Sequence, residues 1–283
     1  MHLEFYQQVE PIRAARPFVR RIIYCDCDEP ITIDVPAPPT GYNHVGWALR
    51  GSGAKLTDLG TMPVAEGEVH LAGQTVRTAA RVMLFGRVRH ILAELTPVGL
   101  YATFGVFAEP LVNRVFSARS MGHGPLQDIL NQVSPEGDME EALVLFQRAL
   151  VAQYAGAAVP HYVTMAAGAI EESQGLVTIS SLLDGISERQ LQRNFKRIVG
   201  CSPKYFSQLL RVNATILSLM ERREDTLADI AASHGFSDQP HMVRSIQTFF
   251  GHAPSEIRSN VDMLLRAFPT ASSGGVPPAG TVN

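Results

Sequence analysis

The chain has 283 residues, a formal net charge of −3 and three cysteines, a length that suits two compact domains with separate cores. Its first residues, MHLEFYQQVEPIRAARP, hold no apolar leader, and no run of about 18 apolar residues follows, so neither secretion nor membrane insertion is expected. Cys25 and Cys27 stand two apart and Cys201 is the third, which argues for free thiols in a reducing, cytoplasmic setting.

Residues 1–133 read as an all-β regulatory domain. Short β-prone runs at Val19–Tyr24, Ile31–Val35, Val45–Leu49, Arg81–Phe85 and Leu100–Phe107 are divided by Pro38-Pro39, Gly51-Ser52-Gly53 and Gly67. Many short strands separated by turn residues predict a barrel or a sandwich. Tyr42, His44 and Trp47 cluster near one strand and are candidate ligand-binding residues, since aromatics with a few polar groups line small-molecule pockets; core or rim positions are the alternative. Cys25 and Cys27 read as two thiols on opposite faces of a strand, against an oxidant sensor or a soft-metal pair. His2, His44, His70, His90 and His123 form no His-x-His pair, so neither a metal nor another cofactor is expected.

The pattern changes at Ser134-Pro135-Glu136-Gly137-Asp138. Leu143, Phe146, Leu150 and Tyr154 recur at helical spacing behind Glu140 and Glu141 in a first turn, which predicts an amphipathic helix over about 139–154. Residues 134–158 are expected to be a linker or dimerisation helix, its apolar face pairing with a second copy or docking on the neighbouring domain. A second helix over about 160–174 places Val163, Ala166, Ala167 and Ile170 on one face. Residues 159–268 form an all-α unit, and 269–283, rich in Pro, Gly, Ser and Thr, read as a disordered tail.

Shifted on itself by 51 residues, the C-terminal region aligns Leu191 with Met242, Arg193 with Arg244, Phe195 with Ile246, Gly200 with Gly251 and Pro203 with Pro254. A duplicated unit follows: a capped helix, a glycine stop, then a helix opened by proline, with Ser187 capping the first copy and Ser237 or Asp238 the second. Thr226-Leu227-Ala228-Asp229 has capping-box spacing, Ala231 permits close helix approach and Gly235 supplies a turn, so Thr226 to Phe250 has the logic of a helix-turn-helix. Leu191, Phe195, Met242, Ile246 and Phe250 are read as core. Charge is unevenly divided: residues 1–175 carry a net −5 and residues 176–283 a net +2. Between Ser187 and Arg211 six basic residues stand against one acid, Glu188, which is either a footprint for phosphates or a solvated helix face.

LADIAASHGFSDQPHMVRSIQTFFGHAPSEIR resembles the signature of the AraC/XylS family of transcription regulators, and ISERQLQRNFKRIVGCSPKYF resembles that family's first helix-turn-helix. The resemblance spans roughly residues 160–260. It implies an α+β protein with a divergent cupin-like N-terminal domain, acting as a DNA-binding regulator rather than an enzyme. Its recognition helices would enter successive major-groove segments, joined by a helix over about Pro203–Arg222. Carried over by position, Glu188, Arg189, Gln192 and Arg193 are base-edge candidates in the first helix, with Gln239, His241 and Arg244 in the second. Lys196, Arg197 and Lys204 are placed for phosphates. Arg193 and Arg244 remain open between base reading, phosphate clamping and helix packing.

Two departures stand out. The first unit's scaffold helix, around Ile179–Gly185, is about two residues short of the family spacing, and Met242 and Ile246 replace the family's aromatics. The basic first unit is therefore expected to contribute more affinity than the second. Expected partners are double-stranded DNA, a small-molecule effector and, for a transcription regulator, RNA polymerase, with the chain a homodimer or a monomer. A competing reading keeps the DNA binding and makes the N-terminal domain a dimerisation or protein-docking module. Alkyl transfer to a cysteine needs an activated thiol, and Cys25 and Cys27 lack the basic neighbours that would supply it.

Overall fold

The computed structural model describes residues 6–76, 80–183, 185–222, 224–251 and 253–259; the expected tail, 269–283, lies outside them. The N-terminal half is built on strands β1 (Tyr6–Val9), β2 (Val19–Pro36), β3 (His44–Thr57), β4 (Gly60–Val64), β5 (Val69–Ala72), β6 (Arg81–Leu95) and β7 (Val115–Ser117). They form one antiparallel sheet in the order β1-β2-β6-β3-β5-β7, with β4 paired to the distal part of β3. The two runs expected as separate strands, Val19–Tyr24 and Ile31–Val35, belong to one 18-residue strand. Its register on β6 shifts between Cys27 and Ile31, an irregularity of the kind that bends a strand and increases its twist.

Alternation along these strands separates two faces. Ile22, Val45, Trp47, Leu71, Ile91 and Leu95 turn to one side and form the main core with α1 (Gly99–Phe104), α2 (Gly124–Leu130) and α3 (Met139–Ala152). Arg21, Ile23, Cys25, His44, His70, His90 and Glu94 sit at alternate positions facing the other side, where they line a cavity.

Three expectations are corrected here. Leu100–Phe107, read as a strand, begins in helix α1; Leu100, Thr103 and Phe104 are buried at helical spacing, and Gly105 ends the helix with a left-handed φ of 66°. Cys25 and Cys27 do not lie on opposite faces: they are two residues apart in regular register with His90 and Val88, so they share a face, and both are buried. The apolar face of α3 is not free for a second copy. Asp138 caps the helix on the Glu141 N–H, Leu143, Phe146 and Leu150 enter the main core, and the Phe146 ring stacks on Trp47 with centroids 6.3 Å apart. Of the two fates considered for this helix, docking within the chain is the one observed.

The C-terminal half contains α4 (His161–Glu172), α5 (Glu188–Val199), α6 (Pro203–Glu221), α7 (Leu227–Ser233), α8 (Gln239–Phe250) and α9 (Pro254–Ser259). α6, about 28 Å long at 1.5 Å per residue, serves two cores. Tyr205, Phe206 and Leu209 pack with Leu191, Phe195 and the apolar face of α4. Val212, Ile216 and Leu219 pack with Ile230, Met242 and Ile246. One continuous helix thereby fixes the spacing of two helical units.

Candidate nucleic-acid interface

Each unit presents a helix whose first turns are ordered by a local cap. Ser187 Oγ accepts from the Gln190 N–H and Asp238 Oδ1 from the His241 N–H, satisfying donors that a helix N-terminus leaves unpaired. Gly200 and Gly251 end the two helices with left-handed φ of 103° and 73°, and Pro203 and Pro254 open the helices that follow. Leu191, Phe195, Met242 and Ile246 are all fully buried. The duplication inferred from the sequence is thus repeated in caps, stops and core positions. In the second unit Thr226 Oγ1 accepts from the Asp229 N–H, and the turn to α8 passes through Gly235 at φ 67°. In the first unit, the place of the scaffold helix is taken by a 3-10 turn, Ile179–Leu182, the shortening that its spacing indicated.

The outward faces carry the expected side chains. Glu188, Arg189, Gln192 and Arg193 are exposed on α5, Lys204 on the first turn of α6, and Gln239 and Arg244 on α8, with His241 half-buried. Gln192 donates to Glu188 at 2.7 Å, and the His241 ring meets Ser237 Oγ at 3.1 Å. Arg189, Arg193 and Arg244 have no ion-pair partner among the described residues.

Lys196 and Arg197, expected on phosphates, are turned to the N-terminal half. Lys196 Nζ lies 2.7 Å from Glu109 Oε1, and the Arg197 guanidinium stacks 4.1 Å from the Phe107 ring centroid. The end of α5 is held as well: the Val199 carbonyl accepts from Gln74 Nε2 and from Asn43 Nδ2. Neither sequence spacing nor charge pattern signals these contacts, because the partners lie about 90 to 160 residues away.

A second bridge runs from α4. Tyr42 donates to Glu171 Oε1 at 2.9 Å, Arg20 stands 3.3 Å from Glu171 and 3.8 Å over the Tyr42 ring, and Tyr42 meets Phe206 edge-on. Arg20 and Arg21 also bind Glu94, which is fully buried and lies 3.5 Å from His44 Nε2. Burial by itself would raise the Glu94 pKa, but His44, Arg21 and Arg20 together hold it below the ordinary glutamate range.

The cavity on the sheet's inner face has a volume of about 230 Å³ and a mainly apolar lining. Of the three candidate ligand-binding residues, Tyr42 and His44 line it. Trp47 does not: an odd number of residues along β3 from His44 turns it to the opposite face, where it is 1% exposed in the main core. Lys55, Gln74, His70 and His90, none of them read from the sequence as ligand-binding residues, line the cavity too. The two histidines enter the sequence reading only as metal ligands; polar residues at inward positions of otherwise apolar strands are the signal for a cavity. Among the described residues no group of three His, Cys, Asp or Glu is arranged to hold a metal ion.

Residues 184–260 match the family model of a helix-turn-helix domain. Over 74 residues, 26% of this chain, the sequence is 35% identical to the HTH-type transcriptional regulator ArgR of Pseudomonas aeruginosa. The match spans 22% of that relative's length. Among solved structures, ToxT of Vibrio cholerae bound to an unsaturated fatty acid is similar over 88% of this chain and 96% of its own, with 11% identity and a TM-score of 0.43. A probable AraC family transcriptional regulator from Rhodopseudomonas palustris is similar over 38% of this chain and 98% of its own, with 30% identity and a TM-score of 0.32. The C-terminal unit is a helix-turn-helix domain, as its residues indicated.

Proposed function

We propose that this chain is a sequence-specific DNA-binding transcription regulator whose N-terminal domain takes a small-molecule effector. The observation that carries the reading is the pair of capped helices, α5 and α8, mounted on one rigid helix, α6, with Arg, Gln and His side chains on their outward first turns. Successive major-groove segments on one side of a duplex are ~34 Å apart, and α6, at ~28 Å, sets a spacing of that order. Arg189, Arg193 and Arg244 would pair with guanine edges or phosphates, Gln192 and Gln239 with adenine, and Lys204 with backbone. Lys196 and Arg197 would reach phosphates once released from Glu109 and Phe107.

The effector part rests on the cavity and on its connections. Gln74 lines the cavity and bonds the last carbonyl of α5, and Glu94, also in the wall, is tied through Arg20 to Glu171 of α4. A ligand that repositions either residue acts on the DNA-binding domain directly. A homodimer would use a surface other than the apolar face of α3, which the chain covers itself. No catalysis is assigned: burial pushes the Cys25 and Cys201 thiols up to about 12, the reverse of an activated nucleophile. No helix among the described residues is long and apolar enough to cross a membrane, and the reading places the protein with DNA in the cytoplasm.

The test is selection of bound duplexes from a random library by the full chain, followed by titration of the enriched duplex. One enriched motif with half-sites about one helical turn apart is expected. Recovery of unrelated sequences, bound with equal affinity, would refute sequence-specific recognition.

A further inference from the structure

The cavity holds a set of polar atoms that do not satisfy one another. Lys55, on β3, has only the Gly73 carbonyl, 3.0 Å away, and no carboxylate partner among the described residues. The one buried acid in the wall, Glu94, is already matched by Arg20, Arg21 and His44. The cavity thus carries one uncompensated positive charge. Burial alone pulls the Lys55 pKa down to about 8, the response of an ammonium that lacks a counter-charge.

Beside it, His70 Nδ1, His90 Nε2 and Gln74 Oε1 are buried without hydrogen-bond partners among the described residues. Burial brings both histidines down, to about 3 for His70 and about 4 for His90, so they are neutral at pH 7. His90 keeps a hydrogen bond to the Gly51 backbone. A neutral imidazole whose other nitrogen donates to a carbonyl presents a lone pair at Nε2. The unmet groups are therefore a cationic donor at Lys55, acceptors at His90 Nε2 and Gln74 Oε1, and His70 Nδ1, whose role follows the tautomer of its neutral ring. The His70 ring crosses Gly46, where a Cβ would lie 2.3 Å from its Cε1, so glycine at that position makes room for the ring in the wall.

Size narrows the ligand further. An apolar cavity of ~150 Å³ accommodates benzene, and by proportion about 230 Å³ takes a body of roughly nine to eleven non-hydrogen atoms. One uncompensated cation suits a monoanion better than a phosphate dianion.

We propose that this cavity binds a compact monocarboxylic acid that also carries a hydroxyl, its carboxylate on Lys55 and its hydroxyl donating to His90 Nε2 or Gln74 Oε1. The inference rests on the effector-binding part of the proposed function and gives that site its ligand chemistry.

Calorimetry and thermal melting with the full chain test it. The probes are the three hydroxyphenylacetates, 8-hydroxyoctanoate, the parents phenylacetate and octanoate, the neutral analogue 4-hydroxyphenylethanol, and phenyl phosphate. At least one hydroxylated acid should raise the melting midpoint and bind tenfold or more tightly than its parent, than the neutral alcohol and than phenyl phosphate. Lys55→Met should weaken that acid at least tenfold, while Lys55→Arg should keep most of its affinity and show that the domain still folds. No binding by any acid, equal binding by the neutral alcohol or phenyl phosphate, or an unaffected Lys55→Met variant would overturn the charge assignment. A parent acid that binds as tightly as its hydroxylated form would overturn the hydroxyl assignment. DNA binding is measured separately on the ligand-free chain: duplex selection that succeeds while every acid fails removes the ligand and leaves the regulator.

Discussion

Replacing Glu94 by glutamine removes one charge from the most buried ionic cluster of the N-terminal domain with almost no change in shape. The carboxylate is fully buried, and Arg21 engages it through two bonds, Nε to Oε1 at 2.9 Å and Nη2 to Oε2 at 3.0 Å. Arg20 donates to Oε1 as well. In the variant two guanidinium groups face a neutral amide, in which an NH₂ replaces one of the accepting oxygens. Removing one partner of a buried pair costs about 3–5 kcal/mol. Arg20 and Arg21 side chains are 35% and 16% exposed, and water relieves part of that, so about 3 kcal/mol is expected, or a fall in thermal midpoint of roughly 10 °C. The native pKa of Glu94 is depressed, so its contribution is complete above the ordinary glutamate value of 4.5 and fades as pH falls through the lower native value. Denaturant titrations of both proteins between pH 7 and pH 3.5 read this directly: the difference should be largest at pH 7 and shrink in acid. A difference under ~1 kcal/mol at pH 7, or one independent of pH, would refute the claim that Glu94 holds this cluster together.

Phe146→Ala should destabilise the N-terminal domain by about 3–5 kcal/mol in a denaturant titration, because its ring is fully buried against Trp47; a stable, folded variant with altered mass in light scattering would restore the dimerisation reading of α3. Arg193→Ala should flatten the dependence of log K on log salt by about 0.9 where a phosphate contact is lost, and by more than Arg244→Ala; the reverse order would show that the second unit supplies more of the affinity. Cys25 and Cys201 should resist a maleimide at pH 8 in the native protein and react on unfolding, since burial raises both thiols to about 12; rapid native labelling, located by peptide mapping, would count against it. Thr226→Ala should cost about 1 kcal/mol through loss of the α7 cap, measured on the transition of the C-terminal unit.

The C-terminal unit was legible in the sequence because its determinants are local. A cap and the N–H it accepts from are three residues apart, core positions recur within a turn, and Gly200, Gly235 and Gly251 mark the stops and turn, so Ser187 and Thr226 take the roles that their spacing predicts, and of the two candidates Ser237 and Asp238 it is Asp238 that caps α8. The N-terminal domain was legible only as a class. Strand alternation says that two faces differ but not which face meets helices, so Trp47 was grouped with His44 although they point apart. Leu100–Phe104 has β-prone composition but is buried as a helix, which Gly105 ends in a left-handed conformation. Only the tertiary structure placed Lys55, His70, Gln74 and His90 around one cavity, since β3, β5 and β6 become neighbours through pairing across tens of residues. It alone turned Lys196 and Arg197 toward Glu109 and Phe107. Partners within about four residues are written in the sequence; partners brought together by sheet pairing and domain packing are decided by the folded chain.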